Sequence, residues 1–112
     1  MVVHVLEDDA GVSDALRLWL EQVGHEVRLY PSAEEFFGAT PPKREDLVFV
    51  DLGLPGASGA DVIDWIDHLP AVPRIVAISG KPSADIARHL KNARHLPVLR
   101  KPLNEESLLA CL

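Results

Sequence analysis

Five short apolar segments, each followed by a stretch of helical period, constrain this chain more than any other feature. They fall at residues 2–6, 26–29, 47–50, 74–78 and 98–99. Strands that alternate with helices build parallel sheets, because a parallel strand can only be reached through a crossover. Such strands are covered on both faces and read as continuous apolar runs rather than alternating ones. Val2-Val3-His4-Val5-Leu6 and Leu47-Val48-Phe49-Val50 fit that pattern well; the second and fifth segments fit least. The expected class is α/β, a three-layer sandwich with a five-stranded parallel sheet between helices.

Helix boundaries follow from caps and spacing. Val12, Leu16, Trp19, Leu20 and Val23 recur every three or four residues, so a first helix is expected from about Ala10 to Val23, with Trp19 in the core and Gly24 as its stop. Ser32 with Glu35 caps a short second helix carrying Phe36 and Phe37, which Thr40-Pro41-Pro42 ends. Ser58 with Asp61 caps a third, running through Val62, Ile63, Trp65, Ile66 and Leu69 and closed by Pro70 and Pro73. Ser83 and Asp85 suit the start of a fourth, with Ile86, Ala87 and Leu90 inward and Arg88, Lys91 and His95 outward. Asn104 opens a fifth of about eight residues, shorter than the usual 11 or so, with Leu108, Leu109 and Leu112 as its apolar stripe. Either that helix is short by nature or the chain is the front piece of something longer. At 112 residues the chain is expected to form one domain, 1–112.

No apolar run approaches the roughly 18 residues that cross a bilayer, and the first residues lack the basic start of a signal peptide. A cytoplasmic location is the expectation, with no membrane partner. Cys111 is the single cysteine, so an internal disulfide is excluded, and its apolar helical setting predicts a buried, inert thiol. Net charge is −6 but uneven: residues 1–70 hold 14 acidic and 4 basic residues, residues 71–112 hold 3 and 7. Such asymmetry fits either a partner surface or ordinary solvated helix faces.

Chemistry concentrates where strands end. In an open parallel sheet the carboxyl ends of neighbouring strands meet in one crevice. Glu7-Asp8-Asp9 follows the first strand, Asp51 the third, Ser79-Gly80 the fourth and Lys101-Pro102 the fifth. Asp9 reads as a helix cap. The remaining carboxylates would face one another across a few ångströms and repel unless a cation intervenes, so the sequence reads as a metal-dependent acidic pocket.

With these residues assembled, the chain resembles the receiver domain of two-component response regulators over nearly its whole length. The motifs that carry the resemblance are Val5-Leu6-Glu7-Asp8-Asp9, Val50-Asp51-Leu52-Gly53-Leu54-Pro55-Gly56 with Ser58-Gly59, Val76-Ala77-Ile78-Ser79-Gly80 and Arg100-Lys101-Pro102-Leu103. The resemblance implies a flavodoxin-like winding with strand order 2-1-3-4-5. It makes Asp51 the phosphoacceptor, taking a phosphoryl group from the phosphohistidine of a sensor kinase or phosphotransfer protein. It assigns Mg²⁺ to Asp8, Asp51 and the backbone carbonyl of Gly53, with Glu7 acting through a bound water. Lys101, Ser79 and the Gly80 amide become the phosphoryl-binding groups, and the Lys101–Pro102 peptide bond is expected to be cis. A downstream protein partner is implied on the face of the fourth helix, fifth strand and fifth helix, as is a phosphorylation-dependent dimer.

Two departures from the pattern stand out. Three positions before the lysine such receivers usually carry an aromatic residue, and this chain has Val98. The short last helix weighs against a dimer on that face. Both motivate a competing reading, a receiver-like binding module that signals without phosphorylation. A phosphatase with an aspartyl-phosphate intermediate would resemble its kind in a second aspartate two places after the nucleophile, where Gly53 stands. No nucleotide-binding glycine motif occurs, and Gly53, Gly56 and Gly59 are read as serving a turn. His4, His25, His68, His89 and His95 lack the pairing of a zinc site. Arg88, Lys91, Arg94 and His95 lack any nucleic-acid motif, so direct contact with nucleic acid is not expected.

Overall fold

The computed structural model describes residues 1–54, 58–80 and 96–112. Strands β1 (Val2–Leu6), β2 (Glu26–Tyr30), β3 (Leu47–Asp51), β4 (Arg74–Ser79) and β5 (Val98–Arg100) form one parallel sheet in the order β2-β1-β3-β4-β5. Helices α1 (Ala10–Gln22), α2 (Ala33–Phe37), α3 (Gly59–Asp67) and α4 (Glu105–Leu109) pack against it. The expected three-layer winding is therefore present. The predicted fourth helix, from Ser83 through His95, and the Pro55-Gly56 turn lie outside the described residues.

Strand alternation divides the core in two. Val3, Val5, Leu47, Phe49, Val76 and Ile78 pack with Leu16 and Leu20 of α1 and Leu108 of α4. Leu6, Val48, Val50, Ile75 and Ala77 pack on the other face with Phe36 of α2 and Val62, Ile63 and Ile66 of α3. Central strands are apolar at most positions because both of their faces are covered. Each fully buried Val, Leu, Ile or Phe contributes roughly 1.5–3 kcal/mol relative to exposure.

Strand ends differ from the sequence expectation in one consistent way: β2 to β5 each run one residue further, so that Asp51 and Ser79 are strand residues. Hydropathy marks the end of a strand where polarity begins, whereas the ladder continues through backbone bonds such as Leu52 N–H to the Ile78 carbonyl at 2.9 Å. The caps behave as expected. Asp9 Oδ1 accepts from the amides of Gly11 and Val12, at 2.8 and 3.2 Å, Ser58 and Asp61 form a reciprocal capping box, and Asn104 caps α4. Gly24 takes φ +91 after α1, a conformation that favours glycine.

Four apolar placements are corrected. Trp19 is only half-buried and Val23 is exposed, because α1 offers a narrower stripe to the sheet than its spacing implied. Leu109 turns outward beside buried Leu108, since α4 is only five residues long. Cys111 is half-buried, burial pushes its thiol above the usual range, and its Sγ lies 3.5 Å from the Ser107 carbonyl. No helix among the described residues is long and apolar enough to cross a membrane.

Candidate functional site

The carboxyl edge of β1, β3, β4 and β5 forms a cavity of about 360 Å³ lined by Asp8, Asp9, Asp51, Gly53, Ser79, Gly80 and Lys101. Ladder bonds fix its frame: the Glu7 amide donates to the Tyr30 carbonyl at 3.1 Å and the Lys101 amide to the Ser79 carbonyl at 2.9 Å. Every residue expected to carry chemistry is thus brought to one place. The Lys101–Pro102 bond is cis, as expected.

Asp51 is 4% exposed at the end of β3. Its Oδ1 accepts from the Gly53 amide at 2.9 Å and its Oδ2 from Lys101 Nζ at 3.3 Å. Lys101 also donates to Glu7 Oε1 at 3.3 Å, and the Asp9 amide donates to the same oxygen at 3.0 Å. Glu7 Oε2 is buried without a hydrogen bond, although the Lys101 ammonium lies 3.2 Å away. Ser79 is 3% exposed, whereas Asp8, Gly53 and Gly80 face solvent.

One ammonium offsets only one of two buried carboxylates. At 3.3 Å and an effective dielectric near 20 the Coulomb attraction is on the order of 5 kcal/mol, against a desolvation cost of several kcal/mol per ion. Glu7 is the group that resists ionising there: its carboxyl is pushed up to about 7 by burial first and then by the neighbouring Asp51. Lys101 moves up as well: burial alone would lower it, but Glu7 and Asp51 outweigh that.

The donor set suits a hard divalent cation. Glu7, Asp8 and Asp51 each offer a carboxylate oxygen, all within 4.8 Å of one another, and the buried Glu7 Oε2 makes no hydrogen bond. Oxygen donors of which Asp8 is exposed to solvent fit Mg²⁺, which keeps several waters. Added Mg²⁺ should raise the melting temperature, by about 1.4 kcal/mol of stability at ten times its Kd. The gain should be larger at pH 8 than at pH 6. Glu7 holds a proton in the native state below about 7, and a cation must displace it. A thermal shift series at the two pH values measures this, and unchanged melting would refute cation binding by these carboxylates.

Sequence reasoning took Gly59 for a turn residue. A Cβ there would lie 2.6 Å from the Asp51 carbonyl oxygen and 2.7 Å from Leu52 Cα. The glycine is needed for the close approach of α3 to the end of β3, rather than for a turn. It also missed a buried cluster at the other end of the sheet. His4, 1% exposed, reaches Asp46 Oδ2 through Nε2 at 3.0 Å and the Tyr30 hydroxyl through Nδ1 at 3.1 Å. In the neutral imidazole Nε2–H donates to Asp46, which can only accept, and Nδ1 accepts from Tyr30. The partners are 42 and 26 residues apart, so no spacing could have revealed them. Val98 sits half-buried in β5 beside Ala77.

Comparison with known proteins gives a consistent result. A family described as "Response regulator receiver domain" matches residues 3–112. The transcriptional regulatory protein FixJ of Azorhizobium caulinodans is 26% identical over 98% of this chain and 52% of its own length. The response regulator protein TodT of Pseudomonas putida is 28% identical over 99% of this chain and 49% of its own. The chain thus spans about half the length of these curated relatives. Among solved structures, a CheY-like receiver domain protein from Methanospirillum hungatei superposes with TM-score 0.85 at 23% identity, over 98% of this chain and 88% of that one.

Proposed function

Since the chain belongs to the response regulator receiver domain family of two-component signalling, we propose that Asp51 is its phosphoacceptor. The observation that carries this reading is a buried carboxylate at the end of β3, bonded to Lys101 and the Gly53 amide and standing beside Glu7. An Asp51 oxygen attacks the phosphorus of a phosphohistidine on a sensor kinase or phosphotransfer protein. The new O–P bond forms as the P–N bond breaks, and the imidazole nitrogen leaves with the electron pair. The product is an acyl phosphate on Asp51 and a free histidine on the donor.

Asp8, Asp51 and the Gly53 carbonyl would hold Mg²⁺, with Glu7 acting through water, and the cation supplies neutralisation of phosphoryl charge. Lys101, already within 3.3 Å of Asp51, turns to a phosphoryl oxygen, and Ser79 donates its hydroxyl to another. The Gly80 amide adds a donor. Phosphoryl transfer asks for little beyond positioning and charge stabilisation, so the domain needs no further catalytic group to promote its own modification and loss. Neither Gly53 nor Gly80 places a side chain over the acceptor, which leaves the pocket open to a small donor and to water. We place this chemistry in the cytoplasm, and the output on the face built on β5 and α4.

Intact mass after incubation with acetyl phosphate and Mg²⁺ tests the assignment. One base-labile phosphate adduct is expected on the native chain and none on Asp51→Asn. An adduct that persists in Asp51→Asn would refute Asp51 as acceptor. No adduct on the native chain, alongside retained Mg²⁺ binding, would favour a module that signals without phosphorylation.

A further inference from the structure

At the opposite edge of the sheet, the loops entering β3 and β4 enclose a second groove of about 440 Å³. Its walls are Pro41, Pro42, Leu69 and Pro70, and Lys43 and Arg44 stand at its rim. The apolar surface continues along α3, where Trp65 lies one helical turn before Leu69 and meets Phe37 with ring centroids 5.1 Å apart. Both rings are half-buried. The groove starts before Leu47, so the length of β3, roughly 13 Å, separates it from Asp51.

Three features mark it as a docking surface. Proline-lined walls are stiff, so little conformational entropy is lost on binding. Apolar walls with a charged rim and adjacent aromatic rings are the anatomy of a protein interface. Lys43 and Arg44 have exposed side chains with no ion-pair partner among the described residues, in a chain of net charge −6.

We propose that this groove docks an acidic, extended segment of a protein partner, with an apolar side chain seated between the prolines and Leu69 and a carboxylate against Lys43 and Arg44. Two cations at the rim are too few for a nucleic acid, whose binding rests on many phosphate contacts. The site is independent of the phosphoacceptor, so a partner seated there leaves the acidic pocket uncovered.

The test titrates the ¹⁵N-labelled chain with acetyl-Asp-Glu-Phe-Asp-Glu-Leu-amide. Saturable amide shifts confined to residues 43–45, 69, 71 and 72 are expected, the prolines having no amide N–H. The affinity should fall at least tenfold in the Lys43→Glu, Arg44→Glu double variant and weaken as salt rises. Both side chains are exposed, so an unchanged melting temperature confirms that the double variant is folded. Phosphoryl uptake from acetyl phosphate should also be unchanged in it, which separates this site from Asp51. Absence of saturable shifts at millimolar peptide would overturn the proposal. So would equal binding by the charge-reversed variant, or by the same peptide with Asn and Gln replacing its acids. Shifts produced by oligothymidylate and not by the peptide would assign the groove to nucleic acid instead.

Discussion

Gly59→Ala is expected to destabilise the protein by about 2–3 kcal/mol, although helix propensity alone favours alanine by up to about 1 kcal/mol. The sign is decided by sterics. The new methyl would stand 2.6 Å from the Asp51 carbonyl oxygen and 2.7 Å from Leu52 Cα, and 3.1 Å from the Asp51 carbonyl carbon. All three are backbone atoms at the end of a paired strand, where Leu52 N–H is bonded to the Ile78 carbonyl, so no side chain can swing aside. Helix α3 must lift instead, loosening Val62, Ile63 and Ile66 from Val48 and Val50. Urea unfolding should show a lower midpoint at an unchanged slope, with the melting temperature down by ten degrees or so. Phosphoryl uptake should fall as well, because the crowded carbonyl belongs to Asp51 itself. A variant as stable as the native chain, or more so, would mean that α3 does not approach β3 as closely as described.

Asp46→Ala should cost more, about 3–5 kcal/mol, because it leaves three donors at a buried site unsatisfied at roughly 1–3 kcal/mol each. The Asp46 carboxylate is 4% exposed and accepts from the Val2 amide at 3.0 Å, the Lys43 amide at 3.0 Å and His4 Nε2 at 3.0 Å. Its removal orphans donors on the first strand, the loop before β3 and a wholly buried imidazole that stacks on Tyr30, ring centroids 5.9 Å apart. Burial raises this carboxyl, but the bonds from His4, Lys43 and Val2 outweigh it and hold it below the ordinary range. A depressed carboxyl contributes stability above its unfolded value, near 3.9, and that contribution is lost as pH falls through the native value. The gap between native chain and variant should therefore be full at neutral pH and shrink below about pH 4. Unfolding free energies across that range measure it, and a gap independent of acid would refute the role given to the carboxylate.

How far the sequence reached can be judged residue by residue. Asp51 and Ser79 were legible because each directly follows its own apolar run, and Lys101 because it stands two places after one; parallel topology carries the ends of such runs to one edge. Asp9, Ser58, Ser32 and Asn104 were legible as caps because a cap acts within three residues. Trp19, Val23 and Leu109 were misplaced because periodicity gives a helix face but not how wide a strip of it the sheet covers. The single-residue extension of four strands was invisible to hydropathy, which reads side chains while the ladder bonds backbone.

The chain by itself determined the α/β class, the order of elements and the cluster of acids with its lysine, because these follow from local period and from what stands at each strand end. Only the tertiary structure decided that burial beside Asp51 pushes the Glu7 carboxyl up, that Gly59 must lack a side chain, and that His4, Tyr30 and Asp46 form one buried network. These depend on distances between residues remote in sequence. Such distances arise only once the sheet brings β1, β2 and β3 side by side and excludes water between them.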